Sequence, residues 1–142
     1  MLNELQVGEF LAALGERTPT PASGAATALT GALAAGLTEL AARFAGDEDA
    51  VVRAKAAVTR LVELADEDAA AYSAFMADRN EATRARIIAV PEEIAAQADA
   101  IGELAERVRS QLQSSVAGDA EAAAELARTA ARVARRLAEL NA

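Results

Sequence analysis

Apolar residues recur along this chain at spacings of three and four, and no stretch alternates as a half-buried strand does. Five helical segments follow from that pattern. The first, over residues 7–16, sets Phe10, Leu11 and Leu14 on one face. It stops at Thr18-Pro19-Thr20-Pro21, because each proline pushes its predecessor out of helical geometry. Ser23 is placed to cap the second helix, over residues 24–44, whose small residues let other helices approach its backbone. Gly46 ends it, and Asp47 caps a long third helix over residues 48–79, with Glu48 and Asp49 in the favourable first turn. Over residues 80–90 the pattern loosens around Arg84 and Arg86, just after Arg79, and reads as a solvated loop. Pro91, followed by Glu92 and Glu93, reads as the start of a fourth helix carrying Ile94, Ala98, Ile101, Ala105, Val108 and Leu112. After a polar break over residues 113–118, Asp119 reads as the N-cap of a fifth helix striped by Leu126, Ala130, Val133, Leu137 and Leu140. There is no internal repeat. The expected fold is all-α: a five-helix bundle with a buried Ala/Gly-rich central helix, in one domain spanning residues 1–142.

Composition sharpens this picture. Of 142 residues 41 are alanine, so the helices carry thin side chains and one copy buries less large apolar surface than usual. Self-association into a homodimer would supply the missing burial. Residues 24–42 carry one charge, Glu39, over about the length of a bilayer crossing. Their large apolar residues are only Leu29, Leu33, Leu37 and Leu40, which suits the core of a soluble bundle better than a membrane. The N-terminus shows no basic segment before an apolar run, so no secretory signal is expected and the cytoplasm is the default.

Missing residues exclude much chemistry. With no histidine and no cysteine there is no conventional zinc site, no thiolate nucleophile and no Ser-His-Asp triad. A net charge of −8 and Lys55 as the only lysine argue against nucleic acid. Proton transfer is left to Asp, Glu, Tyr, Lys or water.

Asp68 is the most informative acid. It lies about 20° around the helix from Leu61, with Ala65, Tyr72 and Phe75 on the same side, whereas Asp66 and Glu67 point away as solvated acids. An acid inside an apolar stripe is desolvated, which raises its pKa unless a cation or donors compensate. It is either a structural acid paired with an arginine or a helix end, or a general acid/base or counter-ion for a cationic substrate. Asp119 is the second candidate, although capping alone explains it. The Pro19-to-Gly24 turn offers backbone N–H groups at a helix start. Tyr72 and Phe75 read as core, although one such ring could stack on a planar ligand, and Arg84 and Arg86, in a solvated loop, are also the available grip on a carboxylate tail.

Taken in order, these features resemble one family. Glu9-Phe10-Leu11-Ala12-Ala13-Leu14, Arg17-Thr18-Pro19-Thr20-Pro21, Gly24-Ala25-Ala26 and Leu29-Thr30-Gly31-Ala32-Leu33-Ala34 look like the start of the cyclodeaminase/cyclohydrolase family. Its members include formiminotetrahydrofolate cyclodeaminase and methenyltetrahydrofolate cyclohydrolase. Asp66-Glu67-Asp68-Ala69-Ala70-Ala71-Tyr72, Val90-Pro91-Glu92-Glu93-Ile94-Ala95 and Ser115-Val116-Ala117-Gly118-Asp119-Ala120 match later segments in the same order. The family's triple-glycine turn reads Ala22-Ser23-Gly24 here, and its Asn-rich stretch in the last helix is replaced by Ala134-Arg135-Arg136-Leu137-Ala138-Glu139. If the first glycine needs positive φ, Ala22 adopts it only at a cost.

The resemblance implies an all-α homodimer acting on a folate-bound one-carbon unit. The reaction is hydrolysis of 5,10-methenyltetrahydrofolate or cyclodeamination of 5-formiminotetrahydrofolate, which the sequence does not separate. With that chemistry Asp68 is the expected general base or acid and Asp119 the charge-stabilising or orienting partner. Thr20, Pro21, Ser23, Gly24, Tyr72 and Ser115 complete the substrate-binding set, with no metal and no tightly bound cofactor beyond the tetrahydrofolate substrate. The competing readings are a trimmed, non-catalytic family member retaining a folate-binding or structural dimer, and an alanine-rich interaction scaffold.

Overall fold

A computed structural model describes residues 1–113 and 115–142. A short 3-10 turn at Leu2–Glu4 precedes α1 (Val7–Gly15), α2 (Ser23–Ala45), α3 (Glu48–Ala77), α4 (Glu81–Arg109) and α5 (Val116–Asn141), with no strand among the described residues. The expected five-helix, all-α architecture is present.

α2 is the axis. It packs against α3, α4 and α5, while α4 also packs against α3 and α5. Its residues Gly24, Ala25, Thr27, Ala28, Gly31, Ala32, Ala34, Ala35, Thr38, Ala41 and Ala42 are all buried. Thin side chains permit the approach: a Cβ on Gly31 would lie 3.3 Å from the Leu61 methyls, so α3 crosses α2 nearly against backbone. By length and composition α2 could cross a membrane, yet 56% of its apolar window is buried inside the bundle. Bulk comes from other helices, chiefly Leu61, Leu64, Val90, Ile94 and Val108, each less than 2% exposed. Gly46 closes α2 at φ 70°, the left-handed geometry that favours glycine. Asp47 caps α3 as its position predicts, its carboxylate accepting from the Ala50 N–H at 3.0 Å.

Four local readings need correction. Pro91 does not start a helix but sits inside α4, which begins at Glu81 behind an Asn80 capping box, so Arg84 and Arg86 are helical rather than in a loop. A mid-helix proline leaves the carbonyl four residues back without its donor. That carbonyl belongs to Ile87, and the Asn141 side-chain amide donates to it at 2.8 Å. Asn141 thus fills the gap that Pro91 opens and pins the end of α5 to α4. Second, α5 begins at Val116, with Gly118 inside it, so Asp119 lies in the first turn rather than at the N-cap, where Ser115 stands. Third, the residue before α2 is Ala22, and Ser23 is the first helical residue with no capping hydrogen bond. Fourth, Asp66 and Glu67 are not merely solvated. Asp66 accepts from the Leu2 N–H at 2.9 Å, and Glu67 pairs with Arg60 at 2.7 Å and Arg86 at 3.7 Å.

Removing Asn141 in an otherwise native α4 leaves the Ile87 carbonyl short of a donor, so Asn141→Ala should cost about 1 kcal/mol. In a Pro91→Ala background the backbone N–H at residue 91 replaces it, and the cost of Asn141→Ala should shrink. Urea denaturation of the four proteins of this cycle measures both effects. An equal cost in both backgrounds would contradict the link between the two residues.

Candidate functional site

The proline-bounded turn after α1 delivers the start of α2 to the flank of α3. Between them lies a cleft of about 210 Å³ lined by Pro19, Thr20, Ala22, Ser23, Gly24, Asp68, Tyr72, Leu137 and Asn141. The Thr20–Pro21 peptide is cis. Ala22 sits at φ −142°, and no non-glycine residue has positive φ among the described residues. The expected penalty for alanine at this point of the turn therefore does not arise.

Gly24 is required by what faces it. A Cβ built there would collide with all three atoms of the Asp68 carboxyl group. The carboxyl occupies the space a side chain at residue 24 would fill, packed against bare backbone. Helix register puts it there: Leu61, Leu64 and Ala65 of α3 are fully buried against α2, and Asp68 continues that side one turn later. No donor or cation of the chain pairs with it among the described residues, so the arginine-paired structural role is absent. Burial raises the Asp68 pKa above its ordinary 3.8.

Around this acid the cleft is otherwise uncharged. The first N–H groups of α2 have no helical acceptors, because hydrogen bonding along the helix begins with Ala26 N–H to Ala22 C=O at 3.1 Å. Tyr72 stands one turn beyond Asp68 on the same side of α3. Leu137 and Asn141, which sequence reasoning missed, close the wall from α5. Their cue lies in Pro91, whose missing N–H creates a need for a donor like Asn141.

Thr20, Ser23, Gly24, Asp68 and Tyr72 are thus brought together, with Pro21 beside them in the turn. Asp119 and Ser115 are not. Asp119 lies 18 residues before Leu137 on α5, about 27 Å along the helix, and Ser115 is farther still. Within one chain they lie toward the other end of α5, so Asp119 does not stand beside Asp68 there. Broader grooves run along the outside. One of about 500 Å³ between α4 and α5 includes Asp99 and Arg135, but these already pair with each other at 2.6 Å.

Fold and cleft together define an all-helical domain in which the open start of a central helix meets one half-buried aspartate. The formiminotransferase-cyclodeaminase family profile matches residues 6–142, and the chain belongs to that family. Formiminotetrahydrofolate cyclodeaminase from Thermotoga maritima shares the fold, with a TM-score of 0.91 over 99% of this chain and 80% of its own, at 23% identity. No curated protein sequence matches the chain.

The raised Asp68 pKa has a sign that stability measurements can read. As the pH rises from 3.8 through the folded-state value, the unfolded chain releases this proton first, so the folded state loses stability. The loss is complete above the folded-state value and absent below the ordinary aspartate range. Asp68→Asn removes it, so the variant should melt at or above the wild-type temperature at pH 7, and the gain should vanish at acid pH. Calorimetry across that range is the check; a neutral-pH loss of stability in the variant would indicate a structural anion.

Proposed function

We propose that this chain is an enzyme of folate one-carbon metabolism that cyclises 5-formiminotetrahydrofolate with loss of ammonia, using Asp68 as the proton carrier. The single observation behind this is an unpaired, desolvated carboxyl facing the open start of α2. A carboxyl with a raised pKa holds a proton nearer neutrality and exchanges it readily, as acid/base catalysis requires. The family and the named activity of the Thermotoga maritima neighbour favour ammonia loss over hydrolysis.

The chemistry needs only one such group. N10 of the folate attacks the formimino carbon and forms the new C–N bond. The formimino group enters protonated, so attack leaves a neutral amino nitrogen, and the Asp68 carboxylate takes the proton from N10 and passes it to that nitrogen. The C–N bond to that nitrogen then breaks, releasing ammonia and leaving the N5=CH–N10 amidinium. The carboxyl ends in its starting protonation state, and as a carboxylate it stabilises the developing cation. Backbone groups from Thr20 to Gly24 take the pterin edge, and Tyr72 offers a ring beside it. The soluble substrate fits a cytoplasmic protein, and the chemistry calls for no metal, nucleic acid or membrane.

A second copy completes the assembly. α1 buries none of its residues. Beside it in sequence, α2 exposes a stripe containing Leu33 and Phe44, each 67% exposed, with Leu40 between them. Apolar faces of this kind mark association sites, and the chain's thin core supplies the need for one. We assign them to a homodimer.

Two outcomes follow. Asp68→Asn should lose turnover by at least about a hundredfold, read as growth of the methenyl chromophore from 5-formiminotetrahydrofolate. Gly24→Ala should also lose activity while remaining folded, because its methyl displaces the Asp68 carboxyl. Turnover undiminished in Asp68→Asn would overturn the assignment, and methenyl loss catalysed in place of methenyl formation would identify a hydrolase. For assembly, Phe44→Glu should convert the dimer to a monomer in light scattering; a wild-type monomer would refute the interface.

A further inference from the structure

Resting on the folate reading, we infer that Arg79 and Arg84, held on the ring of Phe75, form the site that grips the carboxylates of the substrate's aminobenzoyl-glutamate tail. Most of the guanidinium groups in this acidic chain are already committed: nine of thirteen arginines lie within 4.0 Å of a carboxylate. Arg79 and Arg84 are exceptions among the described residues, and they are neighbours. Their guanidinium carbons lie 5.3 and 5.4 Å from the Phe75 ring centre. Among the described residues Arg84 donates only to the neutral Asn141 carbonyl at 3.4 Å, and Arg79 only to the Met76 sulfur at 3.6 Å. Cation–π contact holds each guanidinium beside the ring, and a guanidinium so placed can bind a carboxylate through paired hydrogen bonds from its N–H groups.

Position ties this pair to the cleft. Asp68, Tyr72 and Phe75 follow one side of α3, and Phe75 lies about 10 Å along the helix from Asp68. That is the reach of a para-substituted benzamide joining a reacting nitrogen to a terminal dicarboxylate, and Tyr72 lies between as a neighbour for the benzoyl ring. Asn141 connects the two regions, lining the cleft and meeting Arg84 through its carbonyl. At about 210 Å³ the cleft is smaller than the roughly 300–1,000 Å³ of pockets that engulf a whole ligand. The tail must therefore leave it. Arg86, the other arginine in this stretch, points to Glu67 at 3.7 Å and takes no part.

The test pairs calorimetric titration of p-aminobenzoylglutamate with steady-state kinetics on 5-formiminotetrahydrofolate. The wild type, Arg79→Gln/Arg84→Gln and Arg86→Gln are compared. The double variant should bind the fragment about tenfold or more weakly and raise KM similarly at unchanged kcat, while Arg86→Gln stays near wild type. Equal effects in the double variant and Arg86→Gln, or none in either, would overturn the site. Fragment binding that depends on the arginines without turnover would uphold the anion site and refute the folate reaction. Turnover without such dependence would do the reverse.

Discussion

The Asp68 carboxyl stands where any side chain at residue 24 would have to go. Much of the structure serves that contact. Only a glycine at the second position of α2 lets a charged group from α3 press against the helix backbone, and only a small-residue α2 lets α3 approach that far. The buried row Leu61, Leu64 and Ala65 fixes the register of α3 so that the next turn presents an acid where the core would otherwise end. Desolvation without a compensating cation follows from the same packing, and it sets the protonation behaviour of the cleft.

The far wall depends on a different local exception. Pro91 interrupts the hydrogen-bond ladder of α4, and Asn141 restores the missing donor from the last turn of α5. That bond holds Asn141 against the cleft, and Leu137 lies one turn earlier on the same helix. Three helices thus converge on Asp68: α2 through its glycine, α3 through the aspartate itself, and α5 through a residue recruited by a proline in α4. The arginines on Phe75 extend this arrangement beyond the cleft mouth, and their freedom from carboxylates distinguishes them from the arginines that brace the outer surface.

Much of this was legible in the sequence, for identifiable reasons. Helical periodicity and proline breaks located α2 and α3 closely, and seven-residue spacing from Leu61 singled out Asp68. Gly24 and the turn before it were found through the ordered motif. What periodicity does not carry is tertiary compensation. Pro91 resembled a helix start because its replacement donor lies 50 residues away, and Asp66 looked solvated because its partner is the backbone of Leu2. Asp119 resembled a cap because Gly118 suggested a break, yet α5 continues through that glycine and places the acid far from Asp68. A carboxyl pair inferred from sequence order is separated by the fold within one chain, with Asp119 far along α5 from the cleft that holds Asp68.

Everything proposed for the cleft rests on that one desolvated carboxyl, and a carbon-13 carboxyl NMR titration of Asp68 in the free protein reads its protonation. The midpoint should lie above the 3.8 of an ordinary aspartate and return toward it in Gly24→Ala as the displaced group meets water. A midpoint at or below 3.8 in the native protein would mean that Asp68 is a compensated anion, and the proton-carrier role would have to be abandoned.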